Sequence, residues 1–254
     1  MSNFVRYFYE CFEVVNANTP ELIDEAYKLR YQVYCEEKGY EDAQQYPDGR
    51  EFDEYDHRAA HSLIRHRESG LFVGVVRLVL PHRTDPSELL PTERHTSLDA
   101  YPELARLPCH MIGEISRLSV SKTFRRRIAD EGMIAGICQD TDSGTAVHPR
   151  FDRRLLPHIT LGLIAALVEM CNDHGIKYCY AVMEPTLLRL LGRFGIHFQT
   201  IGQPIDHRGL RVPSFFSGKD LMLMMHKRPD IWALLGKDAI KRPEQRRYRQ
   251  LALL

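Results

Sequence analysis

Residues 109–121, CHMIGEISRLSVS, alternate apolar and polar side chains at the two-residue period of a strand, with Ile112, Glu114, Ser116, Leu118 and Val120 on one face. The segments after this strand fix the fold class. Beyond a polar, strongly basic stretch at 122–154 comes LLPHITLGLIAALVEMCNDHG (155–175), a long apolar helix stopped by Gly175. Residues 177–184 read as a tyrosine- and valine-rich strand, and 185–194 as a helix opening on Pro185 and closing at Gly195. Upstream, 62–66 and 71–80 form an antiparallel hairpin around a turn at 68–70, and 81–108 is a long connection punctuated by Pro and Asp. A strand–helix–strand–helix series after an antiparallel meander predicts an α/β fold, a mixed central sheet with helices on both faces.

The two ends of the chain complete this pattern. Residues 4–16 alternate and are aromatic-rich, which predicts a strand. In NTPELIDEAYKLRYQVYCEEKG (18–39), Thr19 suits a helix N-cap, Pro20 the first helical position, and Leu22, Ala26, Leu29 and Val33 make an apolar stripe. Arg30, Tyr34 and Glu37 come at helical spacing on a neighbouring face. Strands are expected at 196–203, 209–216 and 221–226.

Composition narrows the function. The 254 residues carry 34 Lys plus Arg against 34 Asp plus Glu, so no global field draws the chain to nucleic acid, and recognition by charge must come from local patches. The six cysteines (Cys11, Cys35, Cys109, Cys138, Cys171, Cys179) are scattered without a CxxC pair, which argues against a disulfide framework or a zinc site; Cys109 and Cys179 are expected as buried, inert thiols. The first residues lack a secretory pattern, and the apolar run Ile159 to Val168 is shorter than the roughly 18 residues of a membrane span, so the cytoplasm is the expected compartment. His57 and His61 are expected at the surface beside an acidic pair.

The informative anomaly is charge inside apolar strands. Arg77 sits in FVGVVRLVL, and Glu114 and Arg117 in MIGEISRLSV; Asp53 and Asp56 precede the hairpin, and Arg30 comes from the first helix. Charges are rarely buried unless paired or functional. A surface salt-bridge set on edge strands is one reading. Flanking valines and isoleucines favour the other, a polar cluster lining a cleft.

Arg30, Tyr34, Tyr40, the D-x-x-D pair Asp53 and Asp56, Arg77 in GVVRL, and the E-x-x-R pair Glu114 and Arg117 resemble, in type, order and spacing, the pattern of the acyl-homoserine-lactone (autoinducer) synthase family over residues 26–120. The overall resemblance is to the acyltransferases associated with the PEP-CTERM/exosortase system and to long-chain N-acyl amino acid synthases. It implies a GNAT-like domain at 1–226 with a basic insertion at 122–154 and a basic C-terminal extension at 227–254. It also implies acyl transfer from acyl-carrier protein to the amino group of an amino acid. Autoinducer synthases usually carry phenylalanine and tryptophan where Tyr34 and Tyr40 stand, and these help enclose S-adenosylmethionine. The two tyrosines point to an amino acid as the acceptor; the alternatives are a lactone synthase using S-adenosylmethionine, or a lipid-signal sensor without turnover.

On this reading Glu114 accepts the proton of the attacking amine, Arg77 or Arg117 takes the carboxylate of the amino acid, and backbone N–H groups around Leu118, Ser119 and Val120 hold the oxyanion. Arg30, Tyr34, Tyr40, Asp53 and Asp56 complete the substrate site. Coenzyme A users among GNAT enzymes normally carry R-x-x-G-x-G/A after the central strand; VSKTFRRRIADEG lacks the glycine pair. Arg125, Arg126 and Arg127, with Arg150, Arg153 and Arg154, instead form a basic patch suited to an acidic carrier protein and its phosphopantetheine phosphate, or else a solvated loop. The donor is expected to be an acyl-phosphopantetheine thioester, with acyl-CoA as the lesser alternative, and no bound cofactor or metal is expected. Ile159, Leu161, Leu163, Ile164, Leu167 and Val168, facing Tyr178, Tyr180 and Val182, are candidates for an acyl slot, although such a helix packs on the sheet in any α/β protein.

Overall fold

The computed structural model describes residues 3–82, 88–124, 156–206 and 209–220. The arginine patch at 125–127 with Arg150, Arg153 and Arg154, the expected strand at 221–226 and the basic tail lie outside the described residues.

The chain opens with helix α1 (Asn3–Cys11), which runs directly into strand β1 (Phe12–Asn16). The expected strand over 4–16 is thus half helix. Val5, Phe8 and Phe12 recur at three- and four-residue intervals and are fully buried, so packing on one helical face overrides the β preference of the aromatics. Helix α2 (Pro20–Tyr31) starts as expected, with the Thr19 hydroxyl accepting the Leu22 N–H at 3.4 Å. It continues into one π-helical turn (Gln32–Glu37), a wide turn of the kind that often marks a functional site. Ala26, Leu29 and Val33 pack on Leu63 and Val75 of the sheet.

The hairpin forms from β2 (Ala59–His66) and β3 (Phe72–Val79). A five-residue helix, α3 (Pro91–His95), interrupts the long connection to β4 (Ile112–Val120). Then come α4 (Leu156–His174), β5 (Tyr178–Met183), α5 (Pro185–Arg193), β6 (Gln199–Thr200), β7 (Ile205–Asp206) and β8 (Leu210–Ser217). The expected strand at 196–203 shrinks to the two residues of β6. Sheet order is β1-β2-β3-β4-β5-β8-β6, with β7 on β8; β4 and β5 are parallel and the other pairs antiparallel. Helices α1, α4 and α5 cover one face, and α2, α3 and the loops around them the other.

Two irregularities shape the centre of the sheet. Strands β4 and β5 pair only over Ile112–Ile115 and Tyr178–Ala181, and beyond that they part, leaving a notch between them. Within β4, Ser116 pairs with Arg77 and Ser119 with Val75, so Arg117 and Leu118 together oppose Val76: a β-bulge, with Arg117 at φ 52°. The expected single-face alternation therefore breaks. Glu114, Ser116 and Ser119 share the side of Arg77, whereas Val120 turns into the α4 core.

That core also decides the fate of the proposed acyl slot. Ile159, Leu161, Leu163, Ile164 and Leu167 are buried among α1, β2 and β3, and Val168 packs against the same cluster. Tyr178 and Tyr180 belong to the opposite face of the sheet, beside Tyr55, Leu90 and Phe215, so α4 does not face them. Strand alternation puts Cys179 and Ala181 toward α4 instead. Cys109 is exposed, contrary to expectation, while Cys179 is buried with its thiol 3.7 Å from that of Cys171.

The α1–α4 contact depends on Gly162. A Cβ there would overlap the buried Phe8 ring and stand 3.3 Å from Ile64 Cδ1. Gly162→Ala is expected to destabilise the chain by about 1–2 kcal/mol, overpacking outweighing the gain in helix propensity, and to lower the urea midpoint at unchanged slope.

Candidate active site

Three arginines reach one place from three elements: Arg30 from α2, Arg77 from β3 and Arg117 from the β4 bulge. Burying a guanidinium demands a carboxylate for it. The segment 51–56 supplies three. Arg30 grips Asp56 with both Nη atoms at 2.7 and 3.0 Å, and Arg77 grips Asp53 at 2.6 and 2.9 Å. Arg117 holds Glu51 through Nη2 at 2.7 Å and Nε at 3.1 Å. Each acid also reaches a second arginine: Glu51 to Arg30 Nε at 2.6 Å, Asp56 to Arg77 Nη1 at 3.0 Å, and Asp53 to Arg117 Nη2 at 3.1 Å. The six side chains close into a ring of alternating charge. Arg30 and Glu51 are wholly buried, and Arg77 nearly so.

This ring sets the local electrostatics. Burial pushes the Glu51 carboxyl up, but Arg30 and Arg117 overcome it and leave it at about 2. For Asp56, burial is likewise overcome, by Arg30 and Arg77, to about 2, and Asp53 is lowered by Arg77 and Arg117 against the same burial. His61 pairs with Arg77 across β2–β3 and is buried, with Nε2 3.0 Å from Asp56 Oδ1. This corrects its expected surface position. Burial, and then Arg30, drop its pKa to about 4, so it is neutral near pH 7.

Glu114 stands outside the ring. It is 3% exposed, and its Oε2 accepts the Thr92 N–H at 2.7 Å from the first turn of α3. Among the described residues no arginine pairs with it. Burial raises its pKa to about 7, against the pull of Thr92 and Arg77. A carboxyl poised near neutrality at a cleft is suited to proton transfer.

That cleft, of about 420 Å³, occupies the notch between β4 and β5 and lies within the roughly 300–1,000 Å³ of small-molecule sites. Ile115, Leu118, Val182, Met183 and Leu187 make an apolar wall, and Glu114, Ser116, Asp53, Arg77 and Arg117 a polar one. Tyr34 and Tyr40, their rings 6.3 Å apart, line its mouth. Arg117 lies over the Tyr34 ring at 5.2 Å.

Of the residues expected from sequence, Tyr34, Tyr40, Asp53, Arg77, Glu114, Arg117 and Leu118 meet at the cleft. Arg30 and Asp56 sit behind it in the ring. Ser119 pairs with Val75 and Val120 enters the α4 core, so these two do not line the cleft. Nor do Arg77 and Arg117 offer an open fork to a substrate carboxylate. Arg77 spends Nε on Ser116 at 2.9 Å and both Nη atoms on Asp53, and Arg117 is committed to Glu51 and Asp53. Glu51, Thr92 and Ser116 were not anticipated. Glu51 was findable, since three buried arginines need three acids besides one left to do chemistry.

A second carboxylate has a distinct task. Glu37, at the end of the π turn, accepts the N–H groups of Lys122 at 2.6 Å and Thr123 at 3.0 Å, together with the hydroxyls of Ser121 and Thr123. Burial raises its pKa, and the two N–H groups more than reverse that. Among the described residues no cluster of His, Cys, Asp and Glu could hold a metal ion, and no helix is long and apolar enough to cross a membrane.

Residues 29–135 match the acetyltransferase (GNAT) domain model. The fold is similar to that of a CoA-dependent acyl-homoserine lactone synthase, BjaI, solved with SAM and isopentyl-CoA. That similarity has a TM-score of 0.52 at 22% identity, over 85% of this chain and 88% of that one. It is similar as well to FeeM, an N-acyl amino acid synthase from uncultured soil microbes, with a TM-score of 0.56 at 11% identity, over 85% of this chain and 96% of that one. No curated protein sequence matches the chain. The fold is therefore GNAT-like, a largely antiparallel mixed sheet flanked by helices.

The charges carry two measurable consequences. Glu114 binds its proton more tightly folded than unfolded, so its contribution to stability is complete below about pH 4.5 and is lost as pH rises through about 7. Glu114→Gln should match the wild type in the unfolding free energy from urea titration at pH 4 and exceed it at pH 8, by up to about 3 kcal/mol. Arg30→Met, which strands Glu51 and Asp56 in the interior, should cost about 3–5 kcal/mol at pH 7.

Proposed function

We propose that this GNAT-like chain is an N-acyltransferase that moves a long-chain acyl group from acyl-carrier protein to the amino group of an amino acid, with residues 1–226 acting as one catalytic unit in the cytoplasm. The observation that carries the reading is Glu114, a buried carboxyl with a pKa of about 7 facing a cleft where the central sheet splays. Acyltransferases of the PEP-CTERM/exosortase type, which the chain resembles overall, guide the choice of acceptor.

The chemistry needs a neutral amine. A free α-amino group has a pKa of about 8, so at neutral pH it must shed a proton. Glu114 accepts that proton, directly or through one water. The amine nitrogen then attacks the thioester carbonyl, the C–N bond forms, and negative charge collects on the carbonyl oxygen. The bulge disrupts the β4 ladder opposite Val76, and the Leu118 N–H is our candidate donor to that oxygen. The C–S bond breaks, and the second proton of the amine nitrogen passes to the departing sulfur, so the phosphopantetheine leaves as a thiol and Glu114 returns its proton to solvent. The ring of arginines and acids holds Arg117, Tyr34 and the 51–56 segment in place and does not itself react. Ile115, Leu118, Val182, Met183 and Leu187 receive the start of the acyl chain.

Glu37 bears on the donor. Backbone N–H groups that follow a strand and open a helix are a natural seat for a pyrophosphate. Here the N–H groups of Lys122 and Thr123 already hold a carboxylate of the chain itself. An internal anion there disfavours coenzyme A and supports a carrier-bound thioester, whose docking we assign to Arg125, Arg126 and Arg127.

The test is to offer acyl-carrier protein and acyl-CoA thioesters with each amino acid, or with S-adenosylmethionine, and to identify the product by mass. An N-acyl amino acid is expected, forming faster as pH rises through about 7. Release of methylthioadenosine would overturn the assignment of the acceptor. Glu114→Gln should lower kcat by about 10²–10⁴ with the fold intact; a sensor would instead keep its ligand affinity and show no turnover in the wild type. Glu37→Ala should raise activity with acyl-CoA relative to acyl-carrier protein. Charge reversal at 125–127 should raise KM for the carrier protein most at low salt.

A further inference from the structure

With the ring closed on itself, the carboxylate of an amino acid needs another partner, and the cleft contains one. Lys38 follows the π turn and Arg211 lies on β8; both line the cleft, with side chains 18% and 12% exposed. Their charged groups lie over the ring of Tyr40, at 5.0 and 5.1 Å from its centroid. They share one acid. Glu184, at the junction of β5 and α5, offers the same Oε1 to Lys38 Nζ at 3.1 Å and to Arg211 Nη2 at 3.5 Å, while its Oε2 accepts the Thr186 hydroxyl at 3.3 Å. Arg211 Nη1 donates to the Leu210 carbonyl at 3.2 Å, but its Nη2 contact to Glu184 is too long for a good hydrogen bond, so that side of the guanidinium has capacity to spare.

We propose that Lys38 and Arg211, steadied by Tyr40, form an anion subsite of the cleft that seats the carboxylate of the acceptor and so selects amino acids over simple amines. The proposal rests on the amine-acylation reading above and names what that reading left unassigned. Lys38 and Arg211 have one carboxylate between them, whereas the three arginines of the ring are matched by Glu51, Asp53 and Asp56, with Glu41 a further 3.6 Å contact to Arg117 Nη2. The other arginine on the cleft wall, Arg94, is exposed and hydrogen-bonded to Glu54 at 2.9 Å, over the ring of Tyr55. A carboxylate entering between Lys38 and Arg211 gains a charge-assisted bond from each, within a partly desolvated pocket. Glu114 faces the same cleft and meets the amine. An acceptor lacking the carboxylate leaves both cations to Glu184 alone.

The experiment compares each amino acid with its own amide as acceptor, in the full-length wild type and in Arg211→Gln, Lys38→Gln and Arg211→Lys. The wild type should prefer the acid. Each Gln variant should raise KM for the acid about tenfold or more while KM for the thioester holds, and should erase the preference. Arg211→Lys should restore part of it. Unchanged urea midpoints separate this from unfolding. A wild type that takes amides as readily as acids, or Gln variants that keep the preference, overturns the subsite. If no amine is acylated at all, the reaction assignment fails instead. Calorimetric titration with the same acids and amides then decides the subsite on its own: acid binding lost in Arg211→Gln supports it, and acid binding retained overturns it.

Discussion

Three guanidinium groups cannot be carried into a protein interior unless three carboxylates go with them, and here each carboxylate is shared so that no charge has a single partner. That constraint organises the molecule. The ring joins α2, the 51–56 segment, β3 and β4, and through His61 it reaches β2. Buried ion pairs add little net stability over a well-packed apolar alternative, because desolvation consumes most of the Coulombic gain. What the ring supplies is position. A member that shifted would strand two neighbours of opposite sign, so Arg117 and Asp53 are fixed on the cleft wall by the cost of moving them.

The same arithmetic singles out Glu114. An acid bonded to two of the buried arginines is held ionised near neutral pH, as Glu51 and Asp56 are. Held instead by one backbone N–H from α3, and buried, it stays near the point where it can take or give a proton. Balance in the ring and imbalance beside it are two halves of one arrangement, and the apolar notch between β4 and β5 lies against both.

Much of this was legible in the sequence. The hairpin, the Thr19 cap, the α4 and α5 boundaries at Gly175 and Gly195, and the strand–helix–strand–helix series from β4 to α5 emerge from period and punctuation. Charges inside FVGVVRLVL and MIGEISRLSV marked the cleft residues. What failed did so for physical reasons. Phe8 looked like a strand residue until its partner, the bare backbone at Gly162, was known, and that partner lies far along the chain. Glu51 was lost among other acids in a turn-rich stretch, where no periodicity distinguishes a buried carboxylate from a solvated one. The apolar residues of α4 carry no mark telling core from substrate slot, and only the opposite orientation of Tyr178 and Tyr180 separates them.

The extra residue in β4 has a wider meaning. In an unbroken strand, Glu114 and Arg117, three positions apart, would point to opposite sides, one to water-compatible chemistry and the other into oil. Inserting one residue reconciles an odd interval with a common destination. Two charges at odd separation within an otherwise greasy strand are therefore a diagnostic that can be applied to bare sequences. Straightening the bulge without changing the interval would turn Arg117 from its acids toward the apolar core under α4, so the irregular backbone at Arg117 is as much a part of the site as the side chains it presents.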